Sequence, residues 1–263
     1  MEPFDMAVAG LLVRVRPLYG EVRELCADYL VAPRAGDLPL PPPDLDIHVT
    51  PGLIDHERAR ATEGVAWSDP YLETLAVLRV IAETAPHRGR LLVHGALIAL
   101  DGRAYLFCAP SGTGKSTHIL LWRRYLGGRV RVLNGDKPLL SFGLGGEVVA
   151  HGTPWAGKEG WNENASAPLA GICLLERAVP GESSIERAVP AEAAPSLLRH
   201  VYLPAEPDAA ASTLGLADAL LAAVPVFRLA VDRSEDAVRV SYEALTGGDY
   251  GSARGHVATA PER

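Results

Sequence analysis

Residues 109–117 constrain the fold of this chain more than any other segment. Their sequence, Ala-Pro-Ser-Gly-Thr-Gly-Lys-Ser-Thr, departs from the phosphate-loop pattern G-x-x-x-x-G-K-[ST] only at the first position, where Ala109 replaces glycine. The apolar run 104–108 before it predicts a strand, and residues 118–125 after it predict a helix. A loop that joins a strand to a helix N-terminus presents free backbone N–H groups to an anion. The sequence therefore predicts that the chain binds a nucleotide phosphate.

The phosphate loop, as we call residues 109–117, supplies most of the predicted ligand contacts. Gly112 and Gly114 allow the backbone to curl so that successive N–H groups point inward. Lys115 is expected to reach the β- and γ-phosphates, and the Ser116 hydroxyl is expected to bind Mg²⁺. The residues predicted to bind the nucleotide are Ser111, Gly112, Thr113, Gly114, Lys115, Ser116 and Thr117.

Lysine is scarce in this chain, and its positions are informative. Of the 25 basic residues only Lys115, Lys137 and Lys158 are lysines. Lysine and arginine are not interchangeable where a compact ammonium group must contact a phosphate. All three asparagines also lie between the phosphate loop and residue 165. We therefore expect the active site within residues 94–164, with chance clustering as the alternative explanation.

Composition limits the classes of partner. The net charge of −7 argues against nucleic acid or an anionic membrane as the main partner. No apolar run approaches the roughly 18 residues of a membrane span, and no basic segment followed by an apolar one begins the chain. The sequence therefore predicts a cytoplasmic protein that acts on a nucleotide, and it leaves a homo-oligomer open.

The strand that enters the phosphate loop is predicted to pair with the strand before it. The apolar runs 91–100 and 103–108 flank Asp101-Gly102, and an Asp-Gly pair between apolar runs is a strong hairpin signal. In common phosphate-loop folds this strand lies instead in a parallel sheet that is reached by crossovers. The predicted fold class is therefore α/β, in the α+β sense, with a mixed sheet and a β-hairpin that leads into the Walker A loop.

The rest of the chain is predicted to alternate between strands and helices. Residues 183–189 are expected to pair with a buried strand at 169–176. Further strands are predicted at 7–16, 45–49, 129–133, 138–142, 147–151 and 226–231, and helices at 69–84, 192–200, 209–223 and 235–245. We divide the chain into a strand-rich N-terminal segment packed on the core (1–70), a phosphate-loop domain (71–246) and a flexible tail (247–263).

An acidic turn follows the strand at 129–133, and we expect it to contribute to the site. Asp136 is the expected acidic partner of Mg²⁺, with Ser116 as the second protein ligand, and it is a candidate catalytic residue. A simple turn residue is the alternative for Asp136. Lys137 is a candidate for neutralising the transferring charge, or else a surface lysine.

Two more catalytic candidates come from either side of this turn. His94 is expected near the γ-phosphate, where an imidazole can accept a proton or donate a hydrogen bond, unless it is a core histidine. Lys158 lies in a loop rich in glycine and tryptophan, residues 152–164, and is expected to contact the γ-phosphate or an anionic acceptor. The alternative is a structural loop packed through its tryptophans. Weaker candidates for acceptor contacts are Arg199, His200 and Arg228.

A family resemblance rests on three of these features. His94-Gly95, the hairpin into Ser111-Gly-Thr-Gly-Lys-Ser-Thr117, and the strand that ends in an acidic pocket resemble the HPr kinase/phosphorylase-like group. That group shares its nucleotide-binding core with phosphoenolpyruvate carboxykinases, and the resemblance covers residues 70–245. It implies a kinase that uses ATP and Mg²⁺ to phosphorylate a hydroxyl of a peptide, a protein or a small metabolite. It also implies that His94 corresponds to the active-site histidine of HPr kinases.

The chain departs from the family pattern at the acidic turn. HPr kinases carry two adjacent aspartates after this strand, whereas here Gly135 stands in one place and only Asp136 remains. Another carboxylate would then complete the site, and Glu159 is the nearest candidate in sequence. The missing aspartate favours an alternative function, a non-catalytic nucleotide-binding regulatory module in a biosynthetic complex. A carboxykinase-like enzyme is a third alternative, and the choice between ATP and GTP is left open.

Overall fold

The computed structural model describes residues 1–33, 38, 40–61 and 65–254. These residues form a four-stranded sheet near the N-terminus and a nine-stranded mixed sheet, with helices packed against both. The predicted α/β class with mixed sheets is confirmed.

The N-terminal sheet has the strand order β3-β1-β2-β4. Its strands are β1 (Phe4–Val8), β2 (Leu11–Arg16), β3 (Leu30–Val31) and β4 (Leu45–His48). The prediction of one strand over 7–16 was wrong, because β1 and β2 form an antiparallel hairpin. The chain reverses at Ala9-Gly10, where φ is 50° and 74°. Apolar residues continue through this short turn, so the sequence pattern does not reveal it.

The large sheet contains the strand that leads into the phosphate loop. Its strands are β5 (Arg90–Leu92), β6 (Ala96–Leu100), β7 (Arg103–Cys108), β8 (Val130–Asn134), β9 (Leu139–Phe142), β10 (Val148–His151), β11 (Ser166–Arg177), β12 (Ser184–Arg187) and β13 (Val226–Val231). The order is β5-β9-β10-β11-β7-β6-β8, and β13 pairs with both β11 and β12. β6 and β7 pair antiparallel across Asp101-Gly102, which confirms the predicted hairpin. β11 lies parallel to β7 on the other side.

Two details of this sheet differ from the sequence-based expectations. The run 91–100 is two strands, because the chain leaves β5 at Val93 and β6 begins only at Ala96. β5 pairs with β9, whereas β6 pairs with β7 and β8. The prediction that residues 183–189 pair with β11 was also wrong, because β13 lies between β11 and β12.

The α-helices of the described residues are α1 (Glu21–Leu25), α2 (Pro51–Arg60), α3 (Asp69–Thr84), α4 (Lys115–Leu126), α5 (Pro190–Leu198), α6 (Pro207–Ala223), α7 (Glu235–Thr246) and α8 (Tyr250–Arg254). The helices α3 to α7 lie close to their predicted positions, whereas α1, α2 and α8 were not predicted. The helix α8 falls within the stretch predicted as a flexible tail, and its Tyr250 is buried against the ring of Tyr242. Residues 255–263 of that predicted tail lie outside the described residues.

The helix α3 connects the two sheets. One buried hydrophobic cluster combines residues of the N-terminal sheet, such as Val13, with Leu72 and Ile81 of α3. The same cluster reaches Leu139 of the large sheet and Trp155. The boundary proposed at residue 70 therefore crosses a continuous core, and the division into domains stays a prediction. Among the described residues, no helix has both the length and the apolar character that crossing a membrane requires.

Candidate active site

The phosphate loop joins the end of β7 to the start of α4. Gly112 and Gly114 have φ values of 76° and 118°, a region that favours glycine. The helix begins at Lys115 rather than at His118, so its first-turn N–H groups belong to the loop sequence itself. The first N–H groups of a helix have no partner within that helix and carry partial positive charge. The loop therefore has the backbone geometry and polarity of an anion site.

Arg177 supports the phosphate loop from outside the motif. Its guanidinium donates hydrogen bonds to the carbonyl oxygens of Gly112 and Thr113, the latter at 3.4 Å. These bonds use carbonyl oxygens and no N–H group of the loop, although the N–H of Thr113 itself donates to the carbonyl oxygen of Pro110 at 3.2 Å. Sequence reasoning missed Arg177. Its position could have indicated it, because Arg177 directly follows a predicted strand and open α/β sheets bind ligands at the carboxyl ends of their strands.

The acidic turn, residues 134–137, is held by a buried asparagine. The Oδ1 atom of Asn134 accepts hydrogen bonds from the backbone N–H groups of Asp136 (2.8 Å) and Lys137 (2.6 Å). Its Nδ2 atom donates to the carbonyl oxygen of Thr153 at 2.9 Å. Asn134 is fully buried, so its amide fixes the turn and also fastens it to the loop 152–164.

Close packing explains why only one aspartate follows β8. A Cβ atom at Gly135 would lie 2.8 Å from the carbonyl oxygen of Ala156, a separation that real Cβ atoms do not show. The N–H of Gly135 donates to the carbonyl oxygen of Trp161 at 2.8 Å. The loop 152–164 therefore occupies the space that a side chain at position 135 would need.

Asp136 lies between two of the other predicted catalytic residues. Its Oδ1 atom is 3.0 Å from Nε2 of His94, and its Oδ2 atom is 3.4 Å from Nζ of Lys137. Burial raises the pKa of Asp136, but the hydrogen bond from His94 and the charges of Lys137 and Lys115 outweigh it and lower the pKa to about 2. Asp136 is therefore a carboxylate throughout the physiological pH range.

Glu159 supplies a second carboxylate at the phosphate loop. The hydroxyl of Ser116 donates a hydrogen bond to Oε1 of Glu159 at 2.8 Å. Burial lowers the pKa of the neighbouring Lys115, while the charges of Asp136 and Glu159 act in the opposite direction. Hydroxyl and carboxylate oxygens are the ligands that Mg²⁺ prefers. The donor set of Ser116, Glu159 and Asp136 therefore fits Mg²⁺ chemically.

His200, one of the weaker candidates, lies beside His94. The backbone N–H of His94 donates to the carbonyl oxygen of His200 at 2.7 Å, and the two ring centroids are 6.2 Å apart. Burial, followed by the charges of His94 and Lys115, lowers the pKa of His200 to about 4. Arg228 lies instead on β13, where it approaches Glu186 and Glu192 at 3.8 Å each.

The loop 152–164 has both a structural side and an exposed side. The indole N–H of Trp155 donates to the carbonyl oxygen of Thr74 in α3 at 2.8 Å, and this side chain is buried. The Nδ2 atom of Asn164 donates to the carbonyl oxygen of Asp28 at 2.8 Å. Lys158 is exposed and lines a cavity together with Asp136. The structural interpretation of this loop therefore applies to Trp155, and the binding role of Lys158 stays a prediction.

Comparison with known proteins adds a distant structural similarity to this geometry. No known family matches the chain, and no curated protein matches it. Among solved structures, the Hpr(Ser) kinase/phosphatase from Coxiella burnetii is similar over 58% of this chain and 95% of that chain, with 10% sequence identity and a TM-score of 0.35. A similarity at this level carries no argument about mechanism. The functional case rests on the site itself.

Proposed function

We propose that the chain is a kinase that transfers the γ-phosphate of ATP to a hydroxyl group, with Mg²⁺ as cofactor. The observation that carries the proposal is the contact of Asp136 with both His94 (3.0 Å) and Lys137 (3.4 Å), joined electrostatically to Lys115 of the phosphate loop. Phosphoryl transfer needs mainly positioning, charge neutralisation and a path for one proton. The described residues offer a group for each of these tasks.

On the phosphate side, loop N–H groups and Lys115 would hold the β- and γ-phosphates. Ser116, Glu159 and Asp136 would hold Mg²⁺, which neutralises phosphate charge when bound. Glu159 would thereby supply a second carboxylate, since packing against Ala156 leaves no room for one at position 135. Lys158, exposed on the cavity wall, would contact the transferring group or the acceptor.

In the reaction, the acceptor oxygen forms a bond to the γ-phosphorus while the bond to the β–γ bridging oxygen breaks and ADP leaves. The hydroxyl proton passes to the pair formed by Asp136 and His94. The low pKa of Asp136 favours a role in binding the metal and in orienting His94 through Nε2, so that the imidazole would accept the proton at Nδ1. Lys137 is placed to offset the charge of Asp136 and of the transferred phosphate.

The substitution Asp136→Asn tests this proposal. We expect phosphate transfer from ATP·Mg to fall about a hundredfold or more, because metal binding and proton transfer are both impaired. ATP affinity, measured by calorimetry, should change little. Asp101→Asn, the same substitution in the exposed turn between β6 and β7, is the matched control and should leave both quantities unchanged. Normal turnover of the Asp136 variant would exclude this mechanism.

A companion substitution, Glu159→Gln, tests the second carboxylate. It keeps the size of the side chain and removes its charge. We expect the affinity for Mg²⁺ in the presence of ADP to fall at least about tenfold, because losing a charged ligand should cost no less than losing a group that orients one. If Mg²⁺ and ATP bind to the unaltered chain but no acceptor is phosphorylated, a non-catalytic nucleotide-binding regulatory module explains the site better than a kinase does.

A further inference from the structure

A cavity adjoins the acidic turn. It lies between the turn, the loop 152–164 and the N-terminal helices α1 and α3, and its volume is about 760 Å³. Asp136 and Lys137 are among the residues that line it. Ligand sites typically measure roughly 300–1,000 Å³. The cavity is therefore large enough to hold an acceptor beside the proposed catalytic groups.

One wall of the cavity is apolar and open to the surface. The rings of Trp67 and Tyr71 stack with centroids 4.8 Å apart, and these residues are 41% and 39% exposed. Leu25, Leu75 and Leu78 extend this wall. A site for a small metabolite encloses roughly 70–90% of its ligand. The open aromatic wall is better suited to an extended segment of polypeptide, which enters and leaves along the surface.

The wall around α1 is negatively charged. Glu21, Glu24 and Asp28 line the cavity, and all three are exposed. Within the described part of the chain, none of their carboxylates forms an ion pair or accepts a hydrogen bond. Basic residues of the cavity, Lys137 and Lys158, come from the acidic turn and the loop 152–164. Charge complementarity thus favours phosphate contacts at one end and a cationic group at the other.

We propose that this cavity is a docking site for a peptide segment that carries the acceptor hydroxyl. A serine or threonine of the peptide would lie at Asp136, an apolar side chain would contact Trp67 and Tyr71, and a basic side chain would approach Glu21, Glu24 and Asp28. That the peptide is the phosphate acceptor rests on the proposed kinase function. Binding of the peptide can be measured whether or not phosphate is transferred.

The experiment uses the full chain with ADP·Mg and dye-labelled peptides, and it measures binding by fluorescence anisotropy. The probes are Arg-Arg-Leu-Ser-Leu-Gly-Arg and a matched peptide with glutamate at each arginine position. We expect the arginine peptide to bind about tenfold more tightly, with a preference that weakens as salt is added. The combined variant Glu21→Gln, Glu24→Gln and Asp28→Asn should abolish that preference.

Two further variants test the aromatic wall and the specificity of the charge effect. Trp67→Ala should weaken the arginine peptide about tenfold, because aromatic residues in such positions dominate binding energy. The control variant Glu182→Gln, Glu192→Gln and Asp218→Asn makes the same change of charge at exposed sites outside the cavity. It should bind the arginine peptide like the unaltered chain.

The outcomes distinguish this inference from the kinase proposal. Equal binding of the two peptides, no binding of either, a preference that survives the cavity variant, or binding of a small amine such as ethanolamine in place of peptide would each overturn the docking site. Preferential binding of the arginine peptide without phosphate transfer would retain the site and exclude the kinase. Phosphate transfer without the peptide preference would exclude only the docking site.

Discussion

The phosphate loop is built by consecutive residues, whereas the acidic turn beside it is held by contacts from distant parts of the chain. Gly112, Gly114 and the start of α4 at Lys115 shape the loop within one short segment. The turn 134–137 depends on Asn134 and on the loop 152–164, which is itself fastened to α3 through Trp155. The backbone shape of the phosphate loop is thus set locally, with Arg177 as an added distant support, whereas the acidic turn depends on tertiary packing.

This difference has a consequence for substitutions. A change in the phosphate loop should remove ligand binding and leave the stability of the fold unchanged, because the loop contributes few buried side chains. A change at the base of the loop 152–164 should instead lower stability and disturb the acidic turn. The three predictions that follow test this contrast, from the largest expected effect to the smallest.

The largest effect is expected for Trp155→Ala. Trp155 is only 6% exposed and belongs to the buried cluster that contains α3 and the N-terminal sheet. Removing a buried indole costs about 3–5 kcal/mol. We therefore expect the free energy of unfolding in urea to fall by about that amount, with a conformational disturbance at Asp136 detectable as reduced turnover.

Two controls accompany this prediction. Trp155→Phe keeps most of the packing and removes the hydrogen bond to Thr74, so it should cost about 1 kcal/mol. Trp67→Ala removes an indole that is 41% exposed and should change stability by no more than about 0.5 kcal/mol. If Trp155→Ala lowers the free energy of unfolding no more than Trp67→Ala does, the acidic turn does not depend on the packing of Trp155 against α3.

Lys115→Ala is expected to show the opposite behaviour. The ammonium is partly buried, and burial lowers its pKa, so its removal should not reduce the free energy of unfolding. ATP affinity should fall about a hundredfold, because charge-assisted hydrogen bonds to phosphate are lost. Calorimetry with ATP·Mg and circular dichroism measure the two quantities. Unaltered ATP affinity would contradict the assignment of the phosphate loop.

The same contrast explains which features could be predicted from the sequence. The strand, loop and helix around Lys115, the hairpin at Asp101-Gly102 and the bounds of α3 follow from local pattern and turn chemistry. The support from Arg177 and the exclusion of a side chain at Gly135 depend on which strands and loops become neighbours. The spacing of residues along the chain does not indicate which elements become neighbours. The role of Arg177 and the packing at Gly135 could therefore not be predicted.

The predicted tail shows the same limit. Gly, Ser, Ala and Arg around residue 250 gave no apolar periodicity, and a flexible end was expected. Tyr250 nevertheless lies buried in α8 with its ring 5.9 Å from that of Tyr242, and its hydroxyl donates to Glu235 at 3.1 Å. Ala253 is also buried, and Arg254 forms an ion pair with Glu235 at 2.8 Å. Composition does not show such partners on a preceding helix.

The smallest expected effect is the pH dependence of the stability that Asp136, in the acidic turn, contributes. The pKa of Asp136 is about 2 in the folded chain, against an ordinary value of 3.8, because His94, Lys137 and Lys115 face its carboxylate. A group whose pKa is lowered on folding adds stability above its unfolded pKa and loses it as the pH falls through the folded value. The contribution should therefore be complete above about pH 5, amount to about 2 kcal/mol, be largely lost by about pH 2 and vanish near about pH 1.

The difference in unfolding free energy between the unaltered chain and Asp136→Asn isolates this contribution, because all other carboxylates titrate in both proteins. We expect that difference to shrink by about 2 kcal/mol between pH 5 and pH 2. His94→Phe should make the shrinkage smaller, since the hydrogen bond from His94 is the largest of the effects that lower the pKa of Asp136. Lys115→Ala should alter it least, because Lys115 acts on Asp136 more weakly than His94 or Lys137. A difference that does not vary with pH would mean that the charges around Asp136 do not stabilise its ionised form, and the acidic side would then be held by packing alone.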